Sequence, residues 1–158
     1  EKGGTGTAGS LCGAVGDDAI GKLVENGGAG VFGTLTRIPG ACFRTVPVAM
    51  KQQVTTGKAQ VLTTVEGTTP QLYDIEIVQI RYSETALTKN MTIRVTDPTL
   101  LEKTGGIVQG MSGSPILKDG RLVGAVTHVL LDDPTTGYAI FAENMLERAQ
   151  AAVEKAAA

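Results

Sequence analysis

The sequence predicts an all-β domain, built as a barrel or as a sandwich. Glycine accounts for 21 of the 158 residues, and tryptophan is absent. Short runs rich in valine, isoleucine and threonine alternate with turn residues, which is typical of short strands joined by tight connections. A chain of this length buries about two thirds of its unfolded surface, so it folds around one core without cross-links. We therefore expect a single domain over residues 1–158.

Composition argues against several functions. The chain has 14 basic and 16 acidic residues and a net charge of -2, whereas a nucleic-acid or anionic-membrane surface needs a basic excess or cluster. No apolar run approaches the roughly 18 residues of a membrane span, and the N-terminus lacks a signal pattern, so we expect any export signal outside this chain. One histidine and no CxxC spacing predict no metal site, and we expect no cofactor. Cys12 and Cys42 are compatible with one disulfide or with two buried thiols.

The first forty residues are rich in glycine and turn signals. Residues 1–10 (EKGGTGTAGS) carry too little apolar surface to pack, so we expect a loose arm or an edge segment. The short apolar run within residues 11–20 ends in a turn signal at residues 16–18, where an aspartate can bond its own backbone. A strand is predicted over residues 29–38, followed by a turn at residues 39–40.

Strands continue through the middle of the chain. The predicted strands cover residues 46–51, 57–65, 71–82 and 91–95. In the third of these, the more apolar face should point inward, and it carries Tyr73, Ile75, Ile77 and Gln79. One helical turn is predicted over residues 99–103, with Asp97 as its N-cap.

The C-terminal third should hold three more strands and a helix. The strands are predicted over residues 116–118, 121–130 and 138–141, with a turn at residues 119–120 and a loop over residues 132–137. Strong helix formers fill residues 143–158, so we expect a terminal helix that lies on the barrel. The apolar side chains near one face of this helix are Met145, Leu146, Ala149 and Val153.

The most informative motif is GMSGSP, at residues 110–115. A serine between two glycines lets the backbone bend tightly and leaves N–H groups pointing outward, as an oxyanion hole requires. Ser112 is therefore the candidate nucleophile, with the N–H groups of Gly110 and Ser112 as the candidate oxyanion donors. Ser114 is expected to be structural. The alternative is a plain glycine and serine turn that joins two strands.

The sequence around this motif resembles serine peptidases. Residues 120–127 (GRLVGAVT) resemble the strand that follows the reactive serine in trypsin-like peptidases and closes their substrate cleft. Residues 96–146 resemble the SpoIVB (sporulation stage IV B) serine peptidases, with a looser likeness over residues 46–80 and 30–35 and a poor match over residues 1–28. The resemblance implies a two-barrel trypsin-like (chymotrypsin-like) fold that cleaves a protein substrate bound as an extended strand. It also implies a spore-forming bacterium and action outside the cytoplasm in sporulation signalling.

The resemblance also implies roles for individual residues. Asp97 occupies the place of an acidic residue implicated in the family's triad, although a helix cap requires the same residue type. Asp17 stands where the family's GALGH-type segment has its general-base histidine, and a carboxylate with a pKa of about 3.9 accepts a serine proton poorly at neutral pH. Thr127 and His128 lie in the cleft strand. His128 either acts as the base, lines the cleft or belongs to the core.

Three hypotheses remain open at this point. The first is a serine endopeptidase domain that acts by acyl transfer to Ser112, and the second is an inactive peptidase-like module that binds an extended peptide without cutting it. The third is a structural β domain in which the motif is an accidental turn. An activated serine hydroxyl separates the first hypothesis from the other two, because activity depends on the site and not on the fold.

Overall fold

The computed structural model describes residues 9–12, 17–36 and 45–157. The two helices are α1 (Pro98–Thr104) and α2 (Ala142–Ala157), and two short 3-10 turns cover Lys51–Gln53 and Leu87–Lys89. The strands are β1 (Gly21–Gly27), β2 (Gly30–Leu35), β3 (Gly57–Thr63), β4 (Gln71–Ile80), β5 (Met91–Val95), β6 (Pro115–Lys118), β7 (Arg121–Leu130) and β8 (Asp133–Phe141).

Six strands close into an antiparallel barrel in the order β3-β4-β5-β8-β7-β6. One continuous apolar core fills it, and its members include Val61, Ile75, Ile77, Ile93, Leu100, Ile116, Val126 and Phe141. Strands β1 and β2 pair with each other in a separate two-stranded sheet. The predicted pair of barrels is thus one closed barrel and one hairpin in the described residues, because two strands are too few to close a barrel.

Strand β4 follows the predicted alternation until its last third. Tyr73, Ile75 and Ile77 point inward and are 4%, 1% and 0% exposed. Gln79 was expected on the same face but is exposed, because the register with β5 shifts between Ile77 and Gln79. A bulge inserts one unpaired residue and reverses the side-chain alternation beyond it.

The segments before β3 and β8 differ from the sequence prediction. Residues 46–51 do not form a strand, and Val48 makes only a single parallel bridge to Leu122, next to Pro47. Proline has no N–H to donate to a ladder, which limits pairing there. The loop expected over residues 132–137 is largely strand, because β8 already begins at Asp133. The buried Pro134 accepts a hydrogen bond through its carbonyl from the N–H of Ile107, at 2.6 Å.

Helix α1 and its predicted cap are confirmed. The Oδ1 atom of Asp97 accepts hydrogen bonds from the N–H groups of Thr99 at 2.9 Å and Leu100 at 3.0 Å. The helix ends at Gly105, which has a φ of 75° and suits the left-handed conformation of a C-terminal cap. The cap therefore holds the segment between β5 and the GMSGSP motif.

The C-terminal helix is confirmed, but its packing face was predicted wrongly in part. Leu146 and Val153 are 52% and 59% exposed, while Asn144 and Ala152 are buried. The amide of Asn144 donates to Oδ1 of Asn90 at 2.9 Å, and the amide of Asn90 donates to the carbonyls of the Arg81 and Ser83 residues. This buried amide pair turns the helix away from the orientation that apolarity alone predicts.

Several sequence predictions lie outside the described residues. These are the loose arm over residues 1–8, the Gly16 turn, the turn at residues 39–40, and Cys42. Cys12 is an exposed free thiol. The helices in the described ranges are too short or too polar to cross a membrane.

Candidate functional site

The loop over residues 110–114 connects α1 to β6 and is bent by two glycines. Gly110 has a φ of 102° and Gly113 a φ of 89°, a range that L side chains rarely adopt. Between them, Met111 is 1% exposed and Ser112 is exposed. The buried methionine anchors the loop in the core while the serine faces solvent.

Hydrogen bonds fix the loop, and two of its N–H groups find no partner in the part of the chain that the structure describes. Met111 donates its N–H to the Val108 carbonyl at 3.1 Å, Gly113 to the Val126 carbonyl at 2.8 Å, and Ser114 to the Met111 carbonyl at 2.9 Å. The N–H groups of Gly110 and Ser112 have no acceptor among the described residues. These are the two donors that the sequence predicts for an oxyanion hole.

The Ser112 hydroxyl is held by the strand that follows the loop. Its Oγ donates to the carbonyl of Thr127 in β7, at 2.8 Å. The hydroxyl of Thr127 in turn donates to the carbonyl of Thr88, in the 3-10 turn before β5. A hydrogen-bonded chain thus links the loop over residues 83–90 to the candidate nucleophile. A carbonyl oxygen orients the hydroxyl but does not remove its proton at neutral pH.

Ser114 takes part in the barrel wall. It is half-buried, and its Oγ donates to the hydroxyl of Thr63 at 3.1 Å. Thr63 is 6% exposed and lies at the end of β3. The contact gives both hydroxyls a partner, so Ser114 has the structural position that the sequence predicts.

The candidate acid and bases are not hydrogen-bonded to Ser112. Asp97 accepts the Asp74 N–H at 3.1 Å on Oδ2, in addition to the two N–H groups of α1, so its carboxylate serves three backbone donors. Asp17 is exposed. His128 is exposed on β7, opposite Tyr138 of β8. Within the described ranges, neither Asp17, Asp97 nor His128 shares a hydrogen bond with Ser112.

Two contacts at the site have no signal in the sequence. One is the hydrogen bond from the Thr127 hydroxyl to the backbone carbonyl of Thr88, an acceptor that any residue type supplies. The other is the pairing of residues 9–11 with Gln109, directly before the loop. Neither contact depends on a residue type or spacing, so neither could have been predicted from the chain alone.

Asp133, the first residue of β8, has a perturbed carboxyl group. The Thr135 hydroxyl donates to Asp133 at 2.6 Å and, with the Thr136 hydroxyl, holds the pKa of that carboxyl below its ordinary value. Arg94 on β5 acts in the same direction more weakly. No group of three potential metal ligands occurs among the residues that the structure describes.

Comparison with known proteins bears on the fold and the family of the chain. The HtrA-type protease AlgW, solved with a decapeptide, superposes with a TM-score of 0.58 at 17% identity over 85% of this chain. This chain corresponds to only 40% of the length of that structure. No curated protein matches the chain. The predicted all-β, trypsin-like fold is confirmed. The sequence model of the SpoIVB peptidase S55 family matches residues 1–146, and the chain therefore belongs to that family.

Proposed function

We propose that this chain is a serine endopeptidase domain that acts by acyl transfer to Ser112. One observation carries the proposal, namely an exposed serine whose own N–H and that of Gly110 have no acceptor within the described residues. Such donors stabilise negative charge that develops on a substrate carbonyl oxygen. An ordinary turn has no need to hold two donors beside a serine hydroxyl, and this favours the peptidase over the accidental turn.

In the reaction, Oγ of Ser112 attacks the carbonyl carbon of the scissile peptide bond. The bond from Oγ to carbon forms, the electron pair of the carbonyl moves to its oxygen, and the N–H groups of Gly110 and Ser112 receive that oxyanion. The serine proton passes to a general base, which returns it to the amine as the carbon–nitrogen bond breaks. Water then releases the acyl group by the same steps in reverse.

The general base is the one part of this scheme without a residue in place. The family resemblance puts a histidine where this chain has Asp17, and Asp17 is exposed. His128 lies one residue beyond the Thr127 carbonyl that holds Ser112, and it is the remaining candidate. We infer that turnover by this chain is slow unless a histidine is supplied at position 17.

A second function is favoured by a specific contact. The Ser112 hydroxyl donates to a backbone carbonyl and not to an imidazole, which is the arrangement expected of a site that binds without cutting. In this alternative the chain holds an extended peptide against β7 and protects or presents it. The family resemblance further supports a role outside the cytoplasm in sporulation signalling, for either function.

A serine-directed fluorophosphonate tests the proposal. We expect Ser112 to become labelled in the folded protein, and we expect the Ser112→Ala variant to remain unlabelled. Peptide binding is measured in parallel by fluorescence anisotropy. Folded protein that binds peptides and resists the label would support the binding module, and folded protein that does neither would leave only the structural β domain.

A further inference from the structure

The two candidate oxyanion donors belong to two different peptide groups of the loop. The Gly110 N–H shares one planar unit with the Gln109 carbonyl. The Ser112 N–H shares another with the Met111 carbonyl. No peptide bond in the described ranges is cis, so the carbonyl and the N–H of each unit point in opposite directions. A contact that holds the carbonyl of a unit therefore also sets the direction of its N–H.

The Ser112 donor is set from within the loop. The Ser114 N–H donates to the Met111 carbonyl at 2.9 Å, which fixes the peptide group that carries the Ser112 N–H. Met111 is 1% exposed, and its own N–H donates to the Val108 carbonyl at 3.1 Å. Contacts inside residues 108–114 are thus sufficient to orient this donor.

The Gly110 donor is set by a segment that lies far away in the sequence. The Leu11 N–H donates to the Gln109 carbonyl at 2.7 Å, and the Gln109 N–H donates to the Gly9 carbonyl at 2.9 Å. We call residues 9–11 the N-terminal clamp. The Leu11 side chain is half-buried, packs against the core and lies against Gly110, so apolar contact as well as hydrogen bonding holds the clamp in place.

Gly110 makes the hydrogen bond from Leu11 important for the site. The Gly110 N–H has no acceptor within the described residues, so it does not itself resist rotation of its peptide group. Glycine tolerates backbone angles that other residues avoid, which makes such a rotation easier. A half-turn would bring the Gln109 carbonyl oxygen to the place of the N–H, and an oxygen there repels the oxyanion that a donor stabilises.

We propose that Leu11 is a positioning residue of the oxyanion hole, and that the N-terminal clamp keeps the Gly110 N–H directed at the substrate carbonyl. This rests on the proposed function, because it concerns the support of the same site. When the clamp is released, the hole should lose one of its two donors, while the Ser112 N–H keeps its direction. Removal of one oxyanion donor lowers kcat by about 10²- to 10³-fold, and this is the upper limit of the effect.

Leu11→Pro and Leu11→Ala, compared in the full chain, test the proposal. Proline has no N–H for the Gln109 carbonyl, whereas alanine keeps this donor and removes most of the apolar contact. Residual dipolar couplings of isotope-labelled protein report the direction of each N–H bond. We expect Leu11→Pro to change the coupling of Gly110 and to leave that of Ser112 near its starting value. The change in Leu11→Ala should be smaller.

Fluorophosphonate labelling measures the effect on the serine, because an oxygen on the phosphorus of the reagent takes the place of the oxyanion. We expect Leu11→Pro to be labelled about 10- to 10³-fold more slowly and to bind peptides as the starting protein does. The matched control is Leu101→Ala, which makes the same truncation as Leu11→Ala at another half-buried leucine that packs against the core. It should lower the unfolding free energy without slowing the labelling or changing the coupling of Gly110.

The outcomes separate this inference from the proposed function. If the Gly110 coupling is unchanged in folded Leu11→Pro, or if it changes while the labelling rate does not, the inference is wrong and the peptidase proposal stands. If the starting protein resists the label, the proposed function is wrong, and the couplings still decide whether the clamp orients the Gly110 N–H. A measurement on the unaltered chain needs no variant to fold. We expect a through-hydrogen-bond coupling between the Leu11 nitrogen and the Gln109 carbonyl carbon, and its absence would overturn the inference.

Discussion

Leu11 lies against the backbone of Gly110, so that a Cβ atom added to this glycine would stand 3.0 Å from Cβ of Leu11. The leucine is held there because its N–H donates to the Gln109 carbonyl at 2.7 Å, while the Gln109 N–H donates to the Gly9 carbonyl at 2.9 Å. The N-terminal segment thus packs beside the loop that carries Ser112. A glycine at this point serves two requirements, the positive φ and the close approach of Leu11.

Gly110→Val should therefore destabilise the protein far more than Ser112→Ala. We expect a loss of about 1–3 kcal/mol of unfolding free energy from the strained backbone, with crowding against Leu11 added to it. Ser112→Ala removes one exposed hydrogen bond and should change stability by less than about 0.5 kcal/mol. Urea unfolding measures both. Gly113→Val is the comparison, since its φ is also positive but open space surrounds it. Equal stability of the Gly110 and Ser112 variants would contradict a specialised loop.

Asp97→Asn separates a helix cap from an orienting acid. Asparagine caps helices about as well as aspartate, but its amide nitrogen cannot accept the Asp74 N–H that Oδ2 of Asp97 accepts, so we expect a loss of less than about 1 kcal/mol of unfolding free energy and unchanged fluorophosphonate labelling. Asp97→Ala removes the cap and should cost about 0.5–2 kcal/mol. If Asp97 orients a base, the asparagine variant will instead lose most of its serine reactivity, far more than its small loss of stability explains.

Asp17→His tests the expectation, drawn from the family resemblance, that Asp17 occupies the position of the general base. A positioned general base raises rates by about 10²- to 10⁴-fold, so even an imperfect placement should increase labelling of Ser112 measurably. The double variant with Ser112→Ala must show no labelling, which excludes contaminating peptidases. If Asp17→His folds and labels no faster than the starting protein, a histidine at position 17 alone does not activate Ser112. The binding module then becomes the better hypothesis.

Asp133 should titrate below its ordinary pKa of 3.8, because the hydroxyls of Thr135 and Thr136 donate to its carboxylate. A carboxyl whose pKa is lowered on folding stabilises the protein above its unfolded pKa, and this contribution disappears as the pH falls through the folded pKa. Thr135→Val removes the strongest donor, so the pKa of Asp133 should rise and acid unfolding should begin at higher pH. Carbon-detected NMR titration measures the first effect. Thr99→Val is the control, and an unchanged Asp133 pKa in Thr135→Val would contradict the assignment.

Much of the barrel follows from alternation, and the exceptions have identifiable causes. Tyr73, Ile75 and Ile77 are buried as their spacing predicts, but Gln79 is not. The cause is a bulge, which arises from the pairing of two strands and has no signal in the sequence of either strand. Strand β1 was not predicted. Its sequence, GKLVENG, is exposed over most of its length, so it lacks the apolar alternation that predicts a strand.

The candidate site was predictable where residue type decides the geometry. The glycines of GMSGSP and the Asp97 cap depend on backbone conformations that few residue types satisfy, so their spacing was informative. The partner of Thr127 was not predictable, because it is the backbone carbonyl of residue 88, which any residue type would supply. The packing face of α2 was not predictable either. That face depends on Asn90 and Asn144, which lie far apart in the chain.

The buried pair of Asn90 and Asn144 connects α2 to the loop that precedes β5. Asn90 directly follows Lys89. Its side-chain NH2 group donates to the backbone carbonyls of residues 81 and 83, and its side-chain Oδ1 accepts from the amide of Asn144. If α2 undocks, a polar group in the interior loses its donor, and the segment that carries Thr88 and Lys89 loses its anchor. The C-terminal helix and the approach to Ser112 are therefore thermodynamically linked, so that ligand bound at the serine should slow the proteolytic release of the helix.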